Sequence, residues 1–132
     1  MSLSRRQFLV MAAGIPAGVL TACSALNREP DYTVIIDRSR TFQPASLVIY
    51  AGSMVAWHNR SAHVHTVTAD PSKARRPERV LLPDEAEPFD SGDLHAGQRW
   101  VYTFDIPGTY TYFSRYHESE ESLGIITVVA NE

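Results

Sequence analysis

The chain of 132 residues contains a single cysteine, Cys23, so no disulfide can form within it. Nor does it have the ~20 consecutive apolar residues that a helix needs to cross a bilayer, since the run from Phe8 to Ala22 is only about fifteen residues long. No basic stripe is present. Twelve Lys and Arg stand against 15 Asp and Glu, a formal net charge of −3, which gives no electrostatic footprint for nucleic acid. Beyond Tyr32 no stretch repeats at 3.6 residues for long enough to make a good amphipathic helix. What is present is one domain's length of sequence, 44% hydrophobic and 20% charged, as expected of a soluble globular protein.

The first residues have a separate character. Met1 to Gln7 carries Arg5 and Arg6 and no acid, and the apolar run that follows ends in Leu20-Thr21-Ala22-Cys23. This is the layout of a signal peptide. Ser4-Arg5-Arg6-Gln7-Phe8-Leu9 resembles a twin-arginine export motif, and Leu20-Thr21-Ala22-Cys23 resembles the bacterial lipobox, which implies lipid attachment at Cys23. Residues 1–22 are therefore expected to be a twin-arginine-type lipoprotein signal peptide. Residues 23–31, with Arg28, Glu29 and Pro30, would form a lipidated N-terminus and polar tether, and residues 32–132 the folded domain. The expected location is the cell envelope or periplasm, with the lipid as a membrane anchor. With Arg5 and Arg6 removed, 10 of the 12 basic residues remain against 15 acidic ones, so the processed chain carries a net −5.

From Tyr32 onward apolar residues alternate over short runs, which is an all-β signal. Strands are predicted over 32–37, 46–50, 54–59, 64–69, 98–104, 109–114 and 125–130, enough for a β-sandwich. Gln43-Pro44, Ala51-Gly52-Ser53 and Ile106-Pro107-Gly108 supply turns between them. Trp100, Tyr102 and Phe104 share one face of a strand and should pack into the core. Between Ala69 and Asp90 the pattern breaks into a charged, proline-studded surface crossover with room for one helical turn.

Five histidines occur, and position distinguishes two of them: His65 opens a strand after a loop, and His117 follows the strand ending Tyr-Thr-Tyr-Phe-Ser. Around them stand Phe-Gln-Pro-Ala-Ser-Leu, Ala-Gly-Ser-Met-Val-Ala-Trp-His-Asn, His-Thr-Val-Thr-Ala-Asp, Phe-Asp-Ser-Gly, Pro-Gly-Thr-Tyr-Thr-Tyr and Gly-Ile-Ile-Thr-Val. In that order the fragments resemble the cupredoxins, the plastocyanin-like and azurin-like blue copper proteins, from about Phe42 to Val129. The resemblance implies a Greek-key β-sandwich with a copper site at one end. It also implies a ligand set of histidine, cysteine, a histidine three residues later and a methionine five beyond that. Carried onto this chain, the histidines are His65 and His117, the cysteine position holds Ser114 and the methionine position holds Ser122.

Both sulfur ligands are thus replaced by serine. A hydroxyl does not supply the thiolate that holds Cu(I) and colours a blue site, so a two-imidazole remnant is expected to favour Cu(II). His63, two residues before His65, is a candidate third imidazole, and Glu118, Glu120 and Glu121 are further oxygen donors in the loop that normally wraps the metal. His58 and His95 are read as surface or packing residues. The leading expectation is a copper-binding, thiolate-free, monomeric envelope lipoprotein with a redox or copper-trafficking protein partner, and no enzyme. Two alternatives stand beside it, a metal-free interaction module of the same fold and a type 2 copper oxidoreductase.

Overall fold

The computed structural model describes residues 28–118 and 122–131. The signal-peptide and lipid-attachment expectations on residues 1–27, Cys23 included, lie outside the described residues, as do Glu120 and Glu121.

Tyr32–Ile36 (β1) is a run of β-branched and aromatic residues whose Val34 and Ile36 turn inward. Phe42–Gln43 (β2) pairs antiparallel on one side of it, and Ser53–Asn59 (β4) pairs parallel on the other. Arg99–Phe104 (β7) completes this sheet, in the order β2-β1-β4-β7. The facing sheet, β3-β9-β8, is built from Ser46–Tyr50 (β3), Gly108–Tyr112 (β8) and Gly124–Val129 (β9). Thr68–Ala69 (β5) and Phe89–Asp90 (β6) make a short third ladder. The expected all-β sandwich is the observed fold.

The core fills the space between the two main sheets. Trp57 on β4 is fully buried, edge-on to Tyr112 with ring centroids 5.4 Å apart and beside Trp100 at 5.5 Å. As expected, Trp100, Tyr102 and Phe104 pack together on one face, and Phe89 lies 4.3 Å from Tyr102. Gly124 sits opposite Tyr112 in the β8–β9 ladder, and a Cβ there would run into the tyrosine ring. Gly124→Ala is therefore expected to cost about 1–3 kcal/mol through overpacking. A lowered thermal midpoint checks it, and an unchanged one contradicts this packing.

Two sequence expectations change in detail. The predicted strand over 64–69 is instead a single bridge, His65 to Leu94, followed by the two-residue β5. Residues 65–69 are all buried rather than alternating, because the 90–94 segment covers one side and the 113–115 segment the other. The crossover holds two short 3-10 turns, Pro71–Lys73 and Pro77–Arg79, rather than one helical turn. It is fastened to the body where Thr111 Oγ1 donates to the Arg79 carbonyl (2.6 Å) and accepts from the Leu81 amide (2.6 Å).

Strands β1 and β4 run parallel, away from a pole where Asp31 and Met54 bond to each other. They end at the opposite pole, where the loops after β1 and β4 gather with those leading into β7 and β9. The chain thus enters at one end of the sandwich, and the candidate site lies at the other, a seven-residue strand of roughly 23 Å away.

Candidate metal centre

Asn59, the last residue of β4, organises the loop that carries two of the histidines. It is fully buried, and its Nδ2 donates to the carbonyls of His63 (2.8 Å) and Leu94 (2.9 Å). Its Oδ1 accepts from the amide (2.9 Å) and hydroxyl (2.8 Å) of Ser61. The chain then enters the His65–Leu94 bridge, with backbone bonds of 3.0 and 2.7 Å, which fixes the His65 backbone. On the other side of the site, the His117 amide closes a turn onto the Ser114 carbonyl at 3.1 Å.

These restraints bring three imidazoles to one pole. The ring centroids of His65 and His117 are 4.5 Å apart, and those of His63 and His117 are 5.9 Å apart. His65 is fully buried, His117 half-buried and His63 exposed. His63 sits in a loop rather than on a strand, and its Nε2 lies 3.4 Å from a guanidinium nitrogen of Arg40. His95 is exposed, and His58 is on β4 in register with Arg99. Among the described residues, no group of three or more His, Cys, Asp or Glu side chains is arranged to hold a metal ion together. The closest approach is therefore a pair of imidazoles with a third at the rim.

Ser114 is 1% exposed, and its Oγ accepts the Thr66 amide at 3.2 Å, immediately after His65. Ser122 is also buried, and its Oγ donates to the Arg40 carbonyl at 3.3 Å. Glu118 points elsewhere: its carboxylate accepts the amides of Arg75 (2.9 Å) and Arg76 (3.1 Å), so it ties the crossover to the His117 loop. Asp90 ties the same loop from the other side. Burial pushes its carboxyl up, but hydrogen bonds from Lys73, Gly92 and Thr68, with Arg115 nearby, hold it below the usual range.

The polar atoms of His65 are exceptional. Both of its ring nitrogens are buried and neither has a hydrogen-bond partner in the protein. The other such side-chain atom among the described residues is Trp57 Nε1, whose ring meets Tyr112 edge-on. Buried polar atoms are almost always paired, because an unpaired one costs about 1–3 kcal/mol. An imidazole whose nitrogens have no partner, beside a second imidazole, fits a site for a metal ion that accepts nitrogen lone pairs.

Burial, and then electrostatic coupling to the neighbouring His117, His63 and Arg40, lower the His65 pKa to about 4. Burial and Arg40 also lower that of His117, against a raising hydrogen bond with the Val64 backbone. Both rings are thus held in the neutral form that ligates metal.

This has a consequence for the metal-free fold. Above pH 6.5 His65 is neutral both folded and unfolded, and contributes no pH dependence. Between 6.5 and about 4 only the unfolded chain takes up its proton, so stability falls with pH across that window. The shift corresponds to a loss of up to about 3 kcal/mol. Denaturant unfolding at pH 7 and pH 4.5 should show this loss, and His65→Gln should remove most of it. An equal loss in that variant would contradict it.

A β-sandwich with two imidazoles converging at the pole opposite the chain's entry is a cupredoxin-type domain. The family model described as copper binding proteins, plastocyanin/azurin family, matches residues 32–129. The chain belongs to that family. A plastocyanin from Scenedesmus fuscus is 34% identical over 89 residues, covering 66% of this chain and 85% of its own length. Among solved structures, the purple cupredoxin from Nitrosopumilus maritimus aligns with a TM-score of 0.55 at 22% identity, covering 75% of this chain and all of its own. A Cu(I) methionine variant of amicyanin aligns at 0.61 and 23%, covering 80% and 89%. The copper-containing nitrite reductase from Thermus scotoductus aligns at 0.61 and 25% over 80% of this chain, which spans only 24% of that enzyme.

Sequence reasoning missed Asn59, Thr66 and Arg40. An asparagine closing a strand is a weak signal by itself, and the long-range bonds made by Thr66 and Arg40 have no sequence period to betray them.

Proposed function

We propose that this cupredoxin holds one Cu(II) ion between His65 and His117, without a thiolate, and serves in copper handling or slow redox exchange at the cell envelope. The observation that carries this reading is the buried His65 ring, with both nitrogens unpartnered, 4.5 Å from the His117 ring. Bound copper would supply a Lewis-acidic, redox-active centre. The chain's own residues do the rest: β4 and Asn59 position His65, the Ser114 turn positions His117, and the packed pole keeps water from His65.

Serine at 114 and 122 supports a non-blue site, because hydroxyl oxygens are hard, weak donors that suit Cu(II) better than Cu(I). The Glu118 carboxylate is engaged by two backbone amides, which supports a binding role over general-base catalysis. The Leu20-Thr21-Ala22-Cys23 motif supports a lipid anchor, and the tether then leaves the sandwich at the pole opposite the copper site. The site would face away from the membrane, toward a soluble redox or copper-trafficking partner.

Isothermal titration of the purified protein with Cu(II) tests the reading. One equivalent binding with a Kd of about micromolar or tighter is expected. No binding at stoichiometric Cu(II) would overturn it in favour of a metal-free interaction module.

A further inference from the structure

The two main sheets present unlike outer faces. On β7 the outward residues are Arg99, Val101 and Thr103, so that face carries a charge. In the sheet β3-β9-β8 the inward side chains include Ile49, Tyr110, Ile126 and Val128, which leaves Val48 and Tyr50 of β3, Ile125 and Val129 of β9 and Thr109 of β8 on the outside. None of these three strands contains Asp, Glu, Lys or Arg.

The outward side chains form one patch. Val48 stands opposite Thr127 and Tyr50 opposite Val129 in the parallel β3–β9 ladder, and Val48 and Tyr50 are 63% and 60% exposed. Leu81 of the crossover extends the patch, because its amide and carbonyl bond to Thr111, the partner of Ile125 on β8. Among the described residues, five of the seven exposed large hydrophobic side chains therefore lie on or beside this face, and only Val101 and Tyr116 lie elsewhere. Exposed apolar side chains gathered in this way mark an interaction surface rather than scattered surface residues.

The charge pattern points to what covers it. With 15 acidic against 12 basic residues, two copies of the chain repel in general, and they approach at least cost through a face that carries no charge. A partner with a charged face would have to desolvate its charges against an uncharged sheet. Nor do the three strands offer a Lys or Arg to hold lipid head groups. We infer that this face binds a second copy of the chain, outer sheet against outer sheet, about a two-fold axis running along the strands. Such a contact brings the same side chains together from both sides, at the aligned angle usual for stacked sheets. An axis along the strands also keeps both chain-entry poles at one end and both histidine pairs at the other, so the dimer leaves the metal centres open. Three strands of about five residues make a face of about 17 by 14 Å, which buries less than the ~800 Å² per partner of a standard stable interface. The dimer is accordingly reversible, with a Kd of the order of 100 µM. A shared membrane would raise the effective concentration of copies held by the anchor given under Proposed function, although the pairing itself requires neither anchor nor copper.

Sedimentation velocity of the full chain between about 10 µM and about 1 mM tests the inference. The wild-type sedimentation coefficient should rise with concentration from monomer toward dimer. Val48→Glu and Tyr50→Glu each place two like charges in the symmetric contact, and each should raise the dimer Kd about 10-fold or more. Val101→Glu adds the same charge to the other sheet and should change the Kd less than about 2-fold. All variants share the same N-terminal segment, so differences among them report the sheet face, and thermal melts establish that each is folded. A wild-type chain that stays monomeric throughout, or association equal in wild type, Val48→Glu and Tyr50→Glu, would overturn the dimer. A monomeric wild type that binds neutral phosphatidylcholine vesicles, with binding lost in Val48→Glu, would overturn it in favour of a lipid surface.

Discussion

Ser114→Cys is expected to turn the copper-loaded protein intensely coloured, with a thiolate-to-copper band near about 600 nm that the natural chain lacks. Ser114 is buried, accepts the Thr66 amide through its Oγ, and begins the turn that carries His117. A thiol there differs from the hydroxyl by one larger atom, a near-isosteric change that a packed interior tolerates at a cost of about 1.5 kcal/mol or less. The Thr66 amide that now bonds the hydroxyl would donate to the sulfur and favour its ionised form, as would Cu(II). Retention of Cu(I) should rise by about an order of magnitude or more, because the soft thiolate is the donor that oxidation state prefers. A copper-loaded variant without a thiolate band would mean that residue 114 does not face the metal.

The second large effect joins function to stability with opposite signs. His65→Leu is expected to abolish stoichiometric Cu(II) binding and yet make the metal-free protein more stable, by about 1–3 kcal/mol at neutral pH. The imidazole is buried with neither nitrogen bonded, so it contributes apolar packing at the cost of two desolvated polar atoms. Leucine fills a similar volume without that cost. Ordinary core histidines behave the other way, because removing them orphans a partner. Retained copper affinity, or a destabilised metal-free fold, would contradict the assignment of His65 as a ligand kept for its metal. His117→Ala should also abolish binding but leave stability nearly unchanged, since this ring is only half-buried.

How far the sequence reached depended on the kind of interaction. Alternation in Tyr32–Ile36 and Arg99–Phe104 made their inward faces legible, because a half-buried strand writes its burial with period two. The segment 65–69 was harder. It is covered on both sides by other loops, so its uniform burial reads as a longer strand than the two residues that pair in β5. The convergence of His65 and His117 followed from the family resemblance, not from local pattern, since 52 positions separate them.

The supports of the site were not legible. Asn59 holds two carbonyls and a serine through its side chain, and Glu118 binds backbone amides 42 and 43 positions earlier. The glutamates after His117 read as spare metal donors, whereas the carboxylate of Glu118 is a clasp between loops. Arg40 lies in a turn whose strained φ follows from hydrogen bonds to Asp37 that composition does not reveal.

Electron paramagnetic resonance of the natural chain with one equivalent of Cu(II) tests the two-imidazole centre most directly. It should give an axial spectrum with the large copper hyperfine splitting of a thiolate-free site and superhyperfine coupling to two imidazole nitrogens, both lost in His65→Ala/His117→Ala. The same spectrum in that double variant would contradict the assignment, as would the narrow hyperfine splitting of a thiolate site in the natural chain.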